Sequence, residues 1–197
     1  MFIQVIQGTV TDNEHLKRQM DLWRTELKPG ARGYLGSVAG TAANGQHIAV
    51  VLFDSELAAR TNSQRPEQGD WWRDTEKGFK GDVTFTSCRQ VDVALGGIVK
   101  DAGFVQIIQG QASDKVAMRQ LLAEMEPLIR KQRPDVLGTI FGWDDNNRFT
   151  QAVFFKSVKA ARKAEEAGAS DNIRERFIAL SVGERKYLDL ENPDIDT

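Results

Sequence analysis

"FIQVIQG" spans residues 2–8 and "FVQIIQG" spans residues 104–110. A β-like phrase with glutamines at its third and sixth places and a closing glycine is thus written twice. Sliding the chain against itself by 102 residues aligns 2–60 with 104–162 without a gap, and sixteen positions are then identical. They run from Phe2 and Phe104 to Arg60 and Arg162, and most other pairs keep their character, such as Leu16 with Met118. Even spacing over this length marks a duplicated unit far longer than a solenoid repeat.

Each copy carries readable periodicities. Residues 2–8 alternate as a strand, and Thr11 with Glu14 has the spacing of a capping box for the helix that follows. The apolar stripe Leu16, Met20, Trp23, Leu27 has helical spacing, and Lys28-Pro29-Gly30 ends it. Residues 33–40 and 46–53 flank Asn44-Gly45, a strong hairpin signal. Ser55 can cap a second helix that runs through Trp71-Trp72 with a break at Pro66, and 83–95 reads as the last strand.

The second copy predicts a strand at 104–110, a helix from Asp114, a hairpin of 136–142 and 148–155 around Asn146-Asn147, a helix from Val158 and a strand near 184–190. Pro127 should kink or stop its first helix early. The expected organisation is a first repeat over 1–95, a linker "GGIVKDAG" at 96–103, a second repeat over 104–190 and a frayed acidic tail at 191–197.

Each copy therefore reads β-α-β-β-α-β, the ferredoxin-like pattern. In "QHIAVVLF" (46–53), Ala49, Val51 and Phe53 point one way while Ile48, Val50 and Leu52 point the other. In 150–156, Val153 and Phe155 oppose Ala152 and Phe154. Strands apolar on both sides belong to a sheet covered on both faces. Two helices cover one face, and the second copy is the natural lid for the other. A wet sheet face would forfeit several kcal/mol, at about 25 cal/mol per Å², comparable with the net stability of a small domain. The expected fold is α+β: two ferredoxin-like repeats packed sheet to sheet as a pseudo-dimeric α+β barrel.

Composition narrows the function classes. With 26 Lys and Arg against 28 Asp and Glu the net charge is -2, which carries no footprint for nucleic acid. The short basic run Arg130, Lys131, Arg133 reads as a solvated helix end. Cys88 is the one cysteine, so an intramolecular disulfide and a thiolate metal cluster are both excluded. The first residues lack a signal-peptide pattern, and the longest apolar stretch, 48–53, is too short to cross a bilayer. A cytoplasmic protein without membrane or nucleic-acid partners is expected.

The phrase "FIQVIQG", the Leu35-Gly36 strand and the junctions "VVLFDSELAAR" and "AVFFKSVKAAR" resemble the dimeric α+β barrel superfamily. The likeness is to its antibiotic-biosynthesis-monooxygenase-like members, once per half. In that family two subunits usually close the barrel; here the pairing looks fused into one chain, and further homo-oligomers remain open. The resemblance implies a small apolar or aromatic ligand, with cofactor-free monooxygenase-like chemistry as one outcome. A non-catalytic structural or interaction protein with filled pockets is the alternative. Haem degradation is disfavoured: the asparagine of haem-degrading relatives is replaced by Gln7 and Gln109, and no histidine stands near Trp72 or Ile173.

No metal-ligand spacing, nucleophile elbow, phosphate loop or dinucleotide fingerprint is present, so no metal and no cofactor is expected. His15 reads as a surface residue and His47 as a half-buried structural one. Six residues stand out as ligand-pocket candidates. Gln7 and Gln109 are amides on buried strands, which either orient a ligand or bond across the pseudo-twofold interface. Gln4 and Gln106 face the opposite way and are expected at the sheet-sheet seam. Arg60 and Arg162 either anchor an anionic substrate or pair with acidic neighbours. Trp71 and Trp72 have no aromatic partners in the second copy, so one half can have kept a stacking pocket while the other serves as scaffold.

Overall fold

The computed structural model describes residues 1–167 and 171–197, with side chains outside 164–174. The first repeat forms β1 (Phe2–Val10), α1 (Asn13–Leu22), β2 (Tyr34–Thr41), β3 (Gln46–Phe53), α2 (Glu56–Ser63), α3 (Pro66–Thr75) and β4 (Phe79–Cys88). After β5 (Gln90–Ala94) the second forms β6 (Phe104–Ala112), α4 (Lys115–Gln132), β7 (Val136–Trp143), β8 (Arg148–Phe155), α5 (Val158–Ala167), α6 (Asp171–Ala179) and β9 (Ser181–Glu191). Strand β10 (Asp194–Asp196) closes the chain.

Two antiparallel five-stranded sheets result, ordered β10-β2-β3-β1-β4 and β5-β7-β8-β6-β9. Their inner faces meet. Ile3 and Val5 of β1, Ile48, Val50 and Leu52 of β3, Ile107 of β6 and Ala152 and Phe154 of β8 share one buried core. Because the strand period is two, the alternate residues face outward under the helices. Phe2 and Phe53 pack there with Ala59 of α2, and Phe104 and Phe155 with Ala161 of α5. Both faces of each sheet are thus dry, and the second copy is the lid of the first. The fold is a pseudo-dimeric α+β barrel.

Closure depends on strands that change sheets. The expected single strand over 83–95 is two strands: β4 ends at Cys88 on the edge of the first sheet, and β5 pairs with β7 at the far edge of the second. The acidic tail is not frayed. Asp194, Ile195 and Asp196 pair with Ala39, Val38 and Ser37 on β2, at the far edge of the first sheet. Each repeat therefore lends a ribbon to the other, and both open sides of the sandwich are spanned. β4, β5, β9 and β10 remain the outer edges of their own sheets, and the two ribbons tie those edges across the sandwich. The tail's charges have local partners: Lys28 Nζ lies 2.8 Å from Asp196, the Tyr34 hydroxyl donates to Asp196 at 2.9 Å, and Arg24 pairs with Asp194.

Three local expectations also need correction. The cap of α1 is Asp12, which accepts from the backbone N–H of His15 at 2.8 Å, while the Thr11 hydroxyl donates to the carbonyl of Gly78. An aspartate is as good a cap as a threonine and sits one residue nearer the first turn. Pro127 does not stop its helix, since α4 continues to Gln132. Gln4 and Gln106 face the helices, as the strand period requires: Gln4 looks under α1–α3, and Gln106 donates to Asp189 at 3.0 Å. The other turn and cap readings match. Gly45 (φ 81°) turns the first hairpin, Ser55 caps α2, and Pro66 opens α3.

Candidate functional site

The two halves differ most beneath their helices. In the first, α1 is followed by a π-helical turn, Trp23–Leu27, and a 3-10 turn, Lys28–Gly30. The repeat aligns Thr25 in the middle of this turn with Pro127 in α4. π-turns re-aim side chains and recur at functional sites. Here the turn puts Trp23 over the sheet, with its ring edge-on to Tyr34 at 4.9 Å. Between α1, α3 and the sheet lies an apolar cleft of about 100 Å³. Trp23, Trp71, Trp72, Tyr34, Phe53 and Phe79 supply its aromatic walls, and Ile6, Leu16 and Val51 its aliphatic ones. That volume is below the roughly 150 Å³ of an apolar cavity that admits benzene, so a single planar ring is the upper limit of what the space can take.

The walls are held rigidly. Trp23 Nε1 donates to Gln68 Oε1 at 3.1 Å, and Trp71 Nε1 to the carbonyl of Gln19 at 2.8 Å. The ring of Trp72 meets Phe85 edge-on at 5.0 Å. Satisfied indole N–H groups let Trp23 and Trp71 line an apolar space without an unpaired donor. Few polar groups reach it: Gln4, Ser37, Tyr34, His47, Asn62 and Gln68 are the main ones. The Tyr34 hydroxyl gives its proton to Asp196, so Ser37 Oγ, 2.8 Å away, donates to Tyr34. Burial, the largest cause, raises the Tyr34 pKa above its ordinary value, and Asp196 reinforces it. This phenol stays protonated.

His47 lies half-buried on β3, with Nδ1 3.0 Å from Thr41 Oγ1 and its ring edge-on to Phe79 at 5.7 Å. Burial pulls its pKa down to about 4, so the imidazole is neutral at neutral pH. His15 is not a free surface residue; its Nε2 lies 2.8 Å from the carbonyl of Asp74 and ties α1 to α3. A second, more polar cleft of about 430 Å³ shares Leu16, Met20, Ala39 and His47 with the first and opens between α1 and β10.

In the second half the equivalent space is divided differently, with its His47 end filled by aromatic rings. Phe141, Trp143 and Phe149 occupy the positions of Ala39, Thr41 and His47, and all three are buried. Phe141 stacks on Trp143 at 6.0 Å, and the cluster is completed by Met118, Leu121 and Phe177. A cleft of about 370 Å³ between α4 and β5 is still lined by Leu122, Met125, Thr139 and Gln151, the repeat equivalents of Met20, Trp23, Ser37 and Ala49, but none of these is a tryptophan.

The six candidates from the sequence fall in three places. Trp71 and Trp72 line the aromatic cleft. Gln7 and Gln109 lie on the opposite face of the sheets and meet across the pseudo-twofold axis. Gln7 Nε2 donates to Gln109 Oε1 at 3.1 Å, and Gln109 Nε2 returns the bond at 2.9 Å. Arg60 is exposed and lies 3.5 Å from Glu56 one helical turn away. Arg162 pairs with Asp189 and stands over the Phe104 ring at 5.6 Å. The side chain of Ile173 lies outside the described ones. Tyr34, Ser37, Ala39 and Gln68 were not singled out by sequence. The signal was present in the repeat alignment, where Ala39 faces Phe141 and His47 faces Phe149.

Among the described residues no group of three His, Cys, Asp or Glu is placed to hold a metal ion, and no helix is long and apolar enough to cross a membrane.

The architecture and its helix-side cleft define a fold class, the dimeric α+β barrel in fused form. Solved structures share it. A candidate monooxygenase from Fusobacterium nucleatum superposes with a TM-score of 0.77 at 13% identity, over 99% of this chain and 93% of that one. A candidate monooxygenase from Lactobacillus acidophilus gives 0.74 at 12% identity, over 100% and 94%. An uncharacterized ferredoxin-fold protein from Listeria monocytogenes, related to antibiotic biosynthesis monooxygenases, gives 0.54 at 14% identity, over 98% and 95%. At these identities the likeness is one of fold. No protein-family model and no curated protein matches the sequence.

Proposed function

We propose that the first-half cleft binds a small planar apolar or aromatic molecule, with the second half serving as scaffold. One observation carries this reading. Where the second copy packs Phe141 and Phe149, the first has Ala39 and His47 and leaves an apolar space walled by three tryptophans. Leaving such an apolar space unfilled costs stability, which a bound ligand would offset. Apolar walls with a few fixed polar groups are the usual form of a small-molecule site. Neutral His47, whose Nδ1 is engaged with Thr41 while Nε2 is the second ring nitrogen, suits a ligand with a hydroxyl group. Cofactor-free monooxygenase-like turnover of such a ligand is the extension we favour, because the fold neighbours include candidate monooxygenases. A cytoplasmic location fits a chain with one buried cysteine, its thiol pushed up to about 12 by burial.

The test is a fluorescence titration with hydroquinone and other single-ring phenols, on the wild type and on Ala39→Phe/His47→Phe, which copies the second half at these two positions. Saturable quenching in the wild type that is lost in the double variant is expected. Equal quenching in both removes the cleft as the site. Oxygen uptake with a bound hydroquinone and no added cofactor then separates an enzyme from a binding protein.

A further inference from the structure

The duplication gives each end of the seam between the sheets a twin, and the twins differ. At one end Leu188 and Leu190 stand opposite Ile107 and Val105, and Ile48 opposite Gln7; with Ala42 they belong to the packed core. At the other end the same register positions hold Thr86 and Cys88, opposite Val5 and Ile3, and Thr150, opposite Gln109. Asp144 replaces Ala42. Three apolar positions have become polar together and a fourth, Cys88, is smaller though still part of the core, and a cleft of about 510 Å³ opens there.

Its floor is the Gln7–Gln109 amide pair, with Gln109 Nε2 also 3.0 Å from Thr150 Oγ1. Its rim carries Arg148 and Lys186, where the twin end has Gln46 and Thr84. Neither cation is in an ion pair among the described residues. Asp144 Oδ1 accepts from the backbone N–H groups of Asn146 and Arg148 at 2.8 and 2.9 Å, which fixes this rim carboxylate against the 144–148 turn. Glu184 is the remaining rim acid and can accept from a ligand hydroxyl.

We propose that this end of the seam is a second ligand site, separate from the aromatic cleft, which takes a small hydroxylated carboxylate. Arg148 and Lys186 supply the cationic partners for the carboxylate. The amides, the threonine hydroxyls and Glu184 suit the hydroxyl groups. Little apolar surface other than Phe149 and Val182 lines the cleft, which disfavours an aromatic body.

The experiment follows the side-chain amide signals of Gln7 and Gln109 by NMR during titration with lactate, malate and citrate, at ionic strength held constant with sodium chloride. A saturable shift with at least one acid is expected, weakened about tenfold or more by Arg148→Gln/Lys186→Gln. It should vanish in Thr86→Leu/Cys88→Leu, which restores the residues of the packed twin. No saturable shift with any acid overturns the proposal and leaves a merely hydrated cleft. So does an affinity unchanged in Arg148→Gln/Lys186→Gln, or glycerol shifting the signals as strongly as the acids. The charge variants are at exposed positions, so they test the site even where the filled variant does not fold.

Discussion

Replacing Gln7 and Gln109 by leucine, singly and together, tests whether the two halves are energetically joined on their shared axis. The pair makes two reciprocal hydrogen bonds, at 3.1 and 2.9 Å, between half-buried side chains. A neutral hydrogen bond contributes about 1 kcal/mol net, and leaving a buried partner unsatisfied costs about 1–3 kcal/mol. Gln7→Leu removes both bonds and strands the Gln109 carbonyl, while the Gln109 amino group keeps Thr150. A loss of about 2 kcal/mol is therefore expected for Gln7→Leu, and a similar one for Gln109→Leu. The double variant strands no amide and places two leucines in contact across the axis, so it should lie within about 1 kcal/mol of the wild type. The coupling is then about 2 kcal/mol or more, well outside the roughly 0.3–0.5 kcal/mol by which independent sites fail to add. Urea unfolding followed by tryptophan fluorescence on all four proteins measures it. Losses that simply add in the double variant would refute the idea that this pair links the repeats.

Three further outcomes follow from the geometry. Truncation after Asn192 removes three strand pairings, the Ile195 side chain and the bonds from Tyr34 and Lys28 to Asp196, and should cost about 2–4 kcal/mol in the same assay; an unchanged midpoint would show the tail to be unattached. His47 has a folded pKa of about 4, below its ordinary 6.5, so the unfolded chain binds more protons between those values. Stability is fully present above pH 6.5 and falls toward pH 4, by at most about 3 kcal/mol from this residue, and His47→Phe should flatten that part of the profile. Pro127→Ala restores a donor inside α4 and should raise stability by about 1–3 kcal/mol, with a fall in the thermal midpoint counting against the helix as described.

The legible part of this protein was its local and pairwise structure. The repeat is written in identical residues, the hairpins in Asn44-Gly45 and Asn146-Asn147, and the two-faced strands in the alternation of Ile48, Val50 and Leu52 against Ala49, Val51 and Phe53. These signals act through nearest neighbours and the strand period, so a linear reading recovers them. The aromatic cleft was half legible: Trp71 and Trp72 marked it, whereas the contrast of Ala39 and His47 with Phe141 and Phe149 gains its meaning only from the sheet face they share.

Three features were decided only in three dimensions. The ribbon at 83–95 changes sheets at Arg89, because closing a barrel requires an edge that lies far away in sequence. The charged tail is ordered by that same demand, since β2 would otherwise present a bare edge to water, and Lys28, Arg24 and Tyr34 supply partners about 160 residues distant in the chain. The glutamines were partly legible: a bond between Gln7 and Gln109 across the pseudo-twofold was one of two readings, whereas Gln4, expected at the seam, lies under the helices, and the register between sheets decides both. Periodicity tells which residues share a face, whereas the identity of that face depends on what the rest of the chain packs against it.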